Sequence, residues 1–182
     1  PVQESLRDAS LRLQAIAAVY STLYRPGTRV DAHEVLRQLC AALQRALGRD
    51  GVRLVTNLVP LRIDAQHAVP LSLIVNELVT NAFEHGIAGR TTGQVQVSLA
   101  PYGGRGRLIV EDDGAGLDPE FRLEEQKGLG LQIARQLATQ IDGSLRLEHG
   151  PPTRFVVDFD LTNPAYRAAE PHPAGKKHAP VL

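Results

Sequence analysis

The run LSLIVNELVTNAFEHG, from Leu71 to Gly86, constrains the fold more than any other part of the chain. Successive residues of an α-helix are rotated by about 100°, so Glu77, Asn81, Glu84 and His85 fall on one stripe of an otherwise apolar helix. Asparagine is a mediocre helix former, so packing alone does not favour it here. The sequence therefore predicts a largely covered helix whose polar stripe faces either water or a cavity that binds a polar ligand.

The composition limits both the class of protein and its partners. The chain has 182 residues, of which 43% are apolar, enough for one domain or for a domain with an appendage. Its 20 basic and 20 acidic side chains balance, which gives no electrostatic reason to expect nucleic acid or an anionic membrane as a partner. Cys40 is the only cysteine, which excludes an internal disulfide and fits a reducing compartment. No signal peptide or membrane-spanning run is visible, so we expect a cytoplasmic protein without membrane contact.

Two helical patterns precede the part of the chain that alternates between strands and helices. The second pattern is expected to begin with Asp31 as its N-cap and to end at Gly48 and Gly51. Both patterns fit an ordinary helical hairpin or a dimer-forming pair, and the sequence leaves these two alternatives open. The first has a 3.5-residue period, typical of helices packed side by side, through Leu6, Ala9, Leu13, Ile16, Tyr20 and Leu23.

The rest of the chain predicts an α/β arrangement. Alternating apolar residues predict strands at 52–58, 95–99 and 108–111, and Pro101-Tyr102-Gly103-Gly104 is typical of a hairpin turn between the last two. The helix with the polar stripe is expected to follow Pro70, which suits a first-turn position. A glycine-rich loop, a helix at 129–141 and two closing strands at 145–147 and 155–161 complete the predicted domain. Residues 162–182 lack periodicity, and disorder is expected there.

Two further segments carry residues that could bind a ligand or take part in a reaction. EDDGAGLD, residues 111–118, follows a strand, and KGLGLQIARQL, residues 127–137, runs from a glycine loop into a helix. A D-x-G-x-G string alone is more often a structural turn, and many helices simply start with glycine. Glycine before a helix also presents free backbone N–H groups to an anion such as phosphate. Singly, these segments are weak evidence for a binding site.

Taken together, the order NELVTNAFEH, DDGAG and GLGL resembles the Bergerat-type ATP-binding domain of sensor histidine kinases. DNA gyrase, the heat-shock-90 chaperones and the mismatch-repair ATPases share that domain. The resemblance runs from about residue 52 to residue 161. It implies an α+β fold, a two-layer sandwich in which a mixed sheet is covered on one face by helices and preceded by a helical segment. It also implies ATP and Mg²⁺ as ligands.

The resemblance assigns expected roles to individual residues. Asn81 matches the asparagine that ligates Mg²⁺, a hard cation that prefers oxygen ligands. Asp112 matches the aspartate that accepts a hydrogen bond from the adenine amino group, with Gly114 and Gly116 allowing close passage of the backbone. Thr153 matches the threonine near adenine.

Other matched residues are expected at the phosphates. Glu77 is the catalytic candidate, as a general base or as a group that orients water or metal, and its position does not decide between these roles. Lys127 and His85 are candidates for neutralising phosphate charge. The family has two glycine boxes, and the DDGAG segment matches the first. The second is expected to contact the phosphates and is matched by Gly128, Leu129, Gly130 and Leu131.

The amino-terminal part resembles the end of the dimerisation and phosphotransfer region in kinases related to the HWE type. The chain has no tryptophan for the W-x-E signature, and Glu84 stands where the family usually has lysine. The lid expected between the family's two glycine boxes, residues 117–126, is short and lacks an obvious phenylalanine box, for which Phe121 is a candidate stand-in. The acceptor histidine of that subgroup lies upstream of this helix, and His33, although in an H-E-x-x-R context, matches a later helix. The isolated chain is therefore not expected to autophosphorylate.

These observations predict three parts: a helical segment at 1–50, an ATP-binding catalytic domain at 51–161 and a tail at 162–182. The leading hypothesis is the catalytic portion of a two-component sensor histidine kinase. It would transfer the γ-phosphoryl of Mg-ATP to a histidine and then to a response-regulator receiver domain, with a homodimeric full-length parent. The alternatives are a serine kinase of the anti-sigma-factor type and a nucleotide-binding regulatory module without turnover.

Overall fold

The computed structural model describes residues 28–125, 128–148 and 150–161. The predicted amino-terminal heptad pattern, the tail and Lys127 lie outside these residues. Three α-helices are described, α1 (Ala32–Leu47), α2 (Ala65–Asn81) and α3 (Leu129–Gln140). The strands are β1 (Arg29–Asp31), β2 (Val52–Leu58), β3 (Arg62–Asp64), β4 (Gly93–Tyr102), β5 (Arg105–Asp112), β6 (Ser144–Glu148) and β7 (Thr153–Asp160).

The main sheet has five strands in the order β2-β4-β5-β7-β6. β2 runs parallel to β4, and the other neighbours are antiparallel, so the sheet is mixed. β4 and β5 form the predicted hairpin, closed by Gly103 (φ +57°) and Gly104 (φ +78°). Two consecutive left-handed residues match the right-handed twist of the flanking strands, which is why glycine suits both positions. A separate two-stranded ribbon pairs β1 with β3.

The core lies between the sheet and the α-helices. Along β5, Gly106, Leu108, Val110 and Asp112 are buried, whereas the residues between them are only partly covered. This alternation places the helices against one face of the sheet and leaves the other face polar. The predicted α+β sandwich is therefore confirmed.

Helix α1 belongs to the same core as the sheet. Asp31 caps it as predicted, its Oδ1 accepting a hydrogen bond from the His33 N–H at 3.0 Å. The buried face of α1, which includes Leu36 and Cys40, joins the core cluster that also contains Val52 of β2. Helix α1 and strand β2, which lie on either side of the expected boundary at residue 50, therefore contribute to one core cluster.

Gln44 of α1 also closes part of the edge of β2. Its Oε1 accepts a hydrogen bond from the Leu54 N–H at 2.5 Å, and its Nε2 donates to the Val52 carbonyl at 3.4 Å. The carboxamide thus satisfies two backbone groups as a neighbouring strand would. Unpaired groups at a sheet edge invite pairing with other chains, so this contact protects the edge at that point.

Helix α2 begins earlier than the sequence predicts. Asp64 is its N-cap and accepts a hydrogen bond from the Gln66 N–H at 2.9 Å. Pro70 lies inside the helix, not in its first turn, so the expected start was wrong. Proline lacks an N–H and leaves the Gln66 carbonyl without its bond from residue 70. The proline side chain is buried, so the helix gains apolar packing at the position where it loses this hydrogen bond.

The polar face of the sheet carries an ion-pair network. Arg107 of β5 makes a two-pronged contact with Asp158 of β7, at 2.6 and 2.9 Å. Arg146 lies 3.7 Å from the same carboxylate, and Arg154 pairs with Glu111. The guanidinium of Arg107 holds the pKa of Asp158 below its ordinary value.

Candidate functional site

Helix α2 does not end in an ordinary cap after Asn81. It continues into a π-helical turn, Ala82–Gly86, which is closed by a hydrogen bond from the Ile87 N–H to the Ala82 carbonyl at 2.9 Å. Such wide turns are uncommon and occur frequently at functional sites. The turn buries Ala82 and Phe83 and leaves Glu84 and His85 exposed, so it is anchored on its core side only.

A cavity of about 250 Å³ opens beside this turn. Residues of α2, the turn, β5, the loop after β5, α3 and β7 contribute to it. Of the predicted site residues, seven line it together, and Asn81 and Asp112 are both among them. The lining residues are Asn81, Ala82, His85, Gly86, Asp112, Leu117, Phe121, Gly128, Gly130, Leu131, Thr153 and Phe155.

Asp112 is a buried carboxyl at one end of the cavity. It is the last residue of β5, lies opposite Thr153 of β7, and each of the two side chains is 4% exposed. Its Oδ1 accepts a hydrogen bond from the Gly114 N–H at 3.0 Å, and the Thr153 hydroxyl also bonds the carboxyl. Burial raises the pKa of Asp112 above its ordinary value, and these two hydrogen bonds oppose that rise. The result is a fixed acceptor in apolar surroundings.

The loop after β5 depends on two of the predicted glycines. A Cβ on Gly114 would overlap the carbonyl oxygen of Gly86, so the two backbones touch there. Gly116 adopts φ +82°, a conformation that side chains rarely allow, and a Cβ on it would lie 3.1 Å from the Gly150 carbonyl. Neither Gly114 nor Gly116 lines the cavity, and both shape its wall.

The other end of the cavity is formed by Asn81 and the start of α3. Gly128 is the N-cap of α3, so the free N–H groups of the first turn lie at this end. A Cβ on Gly130 would lie 2.6 Å from Glu77 Oε2 and 4.0 Å from Asn81 Nδ2, so α3 passes directly over both side chains. Together these groups offer backbone donors and side-chain oxygens, a combination suited to phosphate with a hard cation.

Several predicted residues stand apart from the cavity wall. Glu77 lies under Gly130 but does not line the cavity, and Leu129 is 41% exposed on the outer side of α3.

His85 is exposed and lines the cavity. Among the lining residues that the structure describes, it is the only one with a basic side chain.

Sequence reasoning missed some of the lining. Leu117 and Phe155 give the cavity an apolar wall, and Gly86 lies against Asp112. The glycine directly after His85 was the available signal for the last of these. Phe121, named in the sequence only as a stand-in for a lid residue, does line the cavity.

The described part of the chain shows neither a metal-binding cluster nor a membrane-spanning helix. Residues 28–125, 128–148 and 150–161 contain no cluster of three His, Cys, Asp or Glu side chains able to hold a metal ion. None of the helices in those ranges is long and apolar enough to cross a bilayer.

Comparison with known proteins decides the family. Residues 66–163, more than half of the chain, match the family described as histidine kinase-, DNA gyrase B-, and HSP90-like ATPase. The chain belongs to this family. The matched range of the ATPase domain contains all of α2 except its first residue, Ala65, together with the π-helical turn and every lining residue of the cavity.

Curated relatives of this ATPase domain are sensor histidine kinases. The chain is 25% identical to blue-light-activated histidine kinase 2 of Erythrobacter litoralis over 159 residues. This alignment covers 84% of this chain and 46% of that protein. It is 32% identical to sensor histidine kinase PdtaS of Mycolicibacterium smegmatis over 155 residues. This alignment covers 82% of this chain and 31% of that protein. The chain thus spans less than half the length of these two relatives.

A solved structure supports the same architecture. The histidine kinase domain of the blue-light activated histidine kinase from Erythrobacter litoralis matches with a TM-score of 0.73 and 24% identity. The match covers 88% of this chain and 83% of that one. It confirms the predicted fold of a histidine kinase ATPase domain.

Proposed function

We propose that the chain is the ATP-binding catalytic portion of a two-component sensor histidine kinase. It would transfer the γ-phosphoryl of Mg-ATP to a histidine outside this chain, and the phosphohistidine would then pass it to a response-regulator receiver domain. The observation that carries the proposal is that Asn81 and Asp112 line one cavity, with backbone donors at the same end as Asn81. Sequence relatives that are sensor histidine kinases support the same reaction.

At the base end, the ionised Asp112 is an acceptor-only group, which suits the exocyclic amino group of adenine. Leu117 and Phe155 give that end the apolar surface on which an aromatic base can lie. The hydrogen bonds from Gly114 and Thr153 hold the carboxylate in place before ATP arrives. Adenine recognition would therefore cost little reorganisation.

At the phosphate end, Asn81 would ligate Mg²⁺ through its amide oxygen. The chemistry that Mg²⁺ would supply there, when held by Asn81, is positive charge that offsets the charge of the phosphates. Glu77, directly below Gly130, would orient a water or the metal in a kinase, since the attacking group there is an imidazole nitrogen. The N–H groups of α3 and His85 would hold the phosphate chain.

The chemical step needs positioning more than covalent help. The lone pair of the acceptor imidazole forms a bond to the γ-phosphorus while the bond to the β–γ bridging oxygen breaks and ADP leaves. Catalysis of such a loose, in-line displacement consists mainly of alignment and charge neutralisation. The acceptor helix, the homodimer and the receiver domain are parts of this proposal, as is a cytoplasmic location, where ATP is supplied.

The test is Asn81→Ala, with Asn57→Ala on the exposed part of β2 as the matched control. Calorimetry with Mg-ATP should give binding by the wild-type chain and by the control variant, and no measurable binding by Asn81→Ala. Nucleotide affinity retained by Asn81→Ala would contradict the proposed site. Labelled ATP with a separate acceptor-helix domain should then give labelled histidine; labelled serine on a partner would indicate the other kinase class.

A further inference from the structure

Gly86, the last residue of the π-helical turn, lies against the Asp112 carboxylate. A Cβ at Gly86 would lie 2.5 Å from Asp112 Cγ and 2.6 Å from each of its two carboxylate oxygens. Three nearly equal distances mean that the flat face of the carboxylate is stacked on the bare backbone of Gly86. Real Cβ atoms essentially never approach closer than 3.0 Å, so any side chain at this position must displace the carboxylate.

The displaced carboxylate could not keep its present contacts. Asp112 belongs to β5, whose backbone is paired on one side with Val95 of β4 and on the other with Thr153 of β7. This pairing restrains the backbone, so rotation of the flexible side chain is the least costly way to relieve the overlap. Such rotation breaks the 3.0 Å hydrogen bond from the Gly114 N–H or the bond from the Thr153 hydroxyl.

We propose that Gly86 is a positioning residue that sets the selectivity of the site for a purine with an amino group at its six-position. This inference rests on the proposed nucleotide-binding function and adds to it a residue that does not itself bond the base. A carboxylate held flat on Gly86 accepts a hydrogen bond from a six-amino donor and repels a six-oxo acceptor. A carboxylate turned away by a side chain at position 86 does neither.

The contacts of Gly86 differ from those of its neighbour Gly114 in a way that can be tested. All three atoms nearest to a Cβ on Gly86 belong to the Asp112 side chain. For Gly114, the nearest atom is the Gly86 carbonyl oxygen, which belongs to the backbone. Removing the carboxylate should therefore make alanine acceptable at position 86 and leave it unacceptable at position 114.

The first experiment compares ATP with ITP, which carries an oxygen at the six-position. The wild-type chain should prefer ATP by about tenfold or more, the equivalent of one hydrogen bond. In Gly86→Ala, ATP affinity should fall by about tenfold while ITP affinity changes by less than about threefold, so that the preference is lost. The control is Gly89→Ala, three residues after the π-helical turn, where φ is +70° and no atom lies within 4 Å of a Cβ. It imposes backbone strain without touching Asp112, and it should keep the preference.

The second experiment is a double-mutant cycle read by thermal melting, which needs no nucleotide. Gly86→Ala should lower the melting temperature of the wild-type chain and have little effect in an Asp112→Ala background. Gly114→Ala should lower it in both backgrounds.

A Gly86→Ala variant that keeps the preference for ATP, or that is equally destabilising in both backgrounds, would overturn the inference. A wild-type chain that binds neither nucleotide would overturn the proposed function, and the selectivity with it. The two failures are distinguishable because the melting cycle still reports the contact between Gly86 and Asp112.

Discussion

The hydroxyl of Thr153 gives the most direct test of how the buried carboxylate is stabilised. Thr153→Val keeps the β-branched shape and opens no cavity, but it removes one hydrogen bond to Asp112. Both side chains are 4% exposed, so water cannot readily replace the lost donor. A hydrogen bond to a charged group contributes about 1.5–3 kcal/mol, and we expect a loss of that size in the free energy of unfolding at neutral pH.

The pH dependence of this loss identifies its cause. The hydroxyl stabilises the ionised carboxyl, so Thr153→Val should raise the already elevated pKa of Asp112 further. The destabilisation is therefore largest above that pKa, where Asp112 is charged in both the folded and the unfolded chain. It shrinks as the pH falls through the pKa, because the folded chain then holds a neutral carboxyl.

Urea unfolding at several pH values measures both effects. Thr56→Val on β2 is the control, since Thr56 is exposed and its change should stay within about 0.5 kcal/mol. A loss for Thr153→Val that is the same at neutral and acid pH would refute the reasoning, because it would then owe nothing to the charge on Asp112.

Three further changes test other contacts of the fold. Gln44→Ala should leave the Leu54 amide without its 2.5 Å acceptor and speed its hydrogen exchange, measured by NMR. Arg107→Gln should return the depressed pKa of Asp158 towards its ordinary value. A carboxyl whose pKa is depressed by folding contributes stability that is lost as the pH falls through its folded pKa, so acid unfolding of the variant should begin at a higher pH. Phe159→Ala should reduce the free energy of unfolding by about 3–5 kcal/mol in urea, since its ring is fully buried.

Much of the fold was predictable because local chemistry decides it. Asp31 caps α1 through its own carboxylate, and two glycines after Tyr102 supply the left-handed residues that a two-residue hairpin turn needs. Alternation of apolar residues in β5 follows from one buried and one polar face. In each case the residues that specify the element are within it or next to it.

Other features depend on contacts between distant segments. Pro70 is a typical start signal, but the Asp64 cap and the Thr28 carbonyl, which accepts the Ala65 N–H at 2.8 Å, begin α2 five residues earlier. The parallel pairing of β2 with β4 joins residues more than 40 positions apart, and local pattern does not report it. For the site, the sequence singled out Asn81 and Asp112, which line one cavity, but the contact of Gly86 with Asp112 exists only once the turn and the sheet meet.

The π-helical turn is where these two kinds of information combine. It starts directly after Asn81, which lines the cavity, and finishes at Gly86, which lies against Asp112. Ala82 and Phe83 fix it in the core, so packing and not helix propensity sets how far the chain rotates between the two ends. An ordinary α-helical turn would rotate the residues after Asn81 differently and would no longer present Gly86 to Asp112. The proposed Mg²⁺ contact of Asn81 and the proposed selectivity for an amino-purine therefore depend on one turn, which is anchored in the core by Ala82 and Phe83.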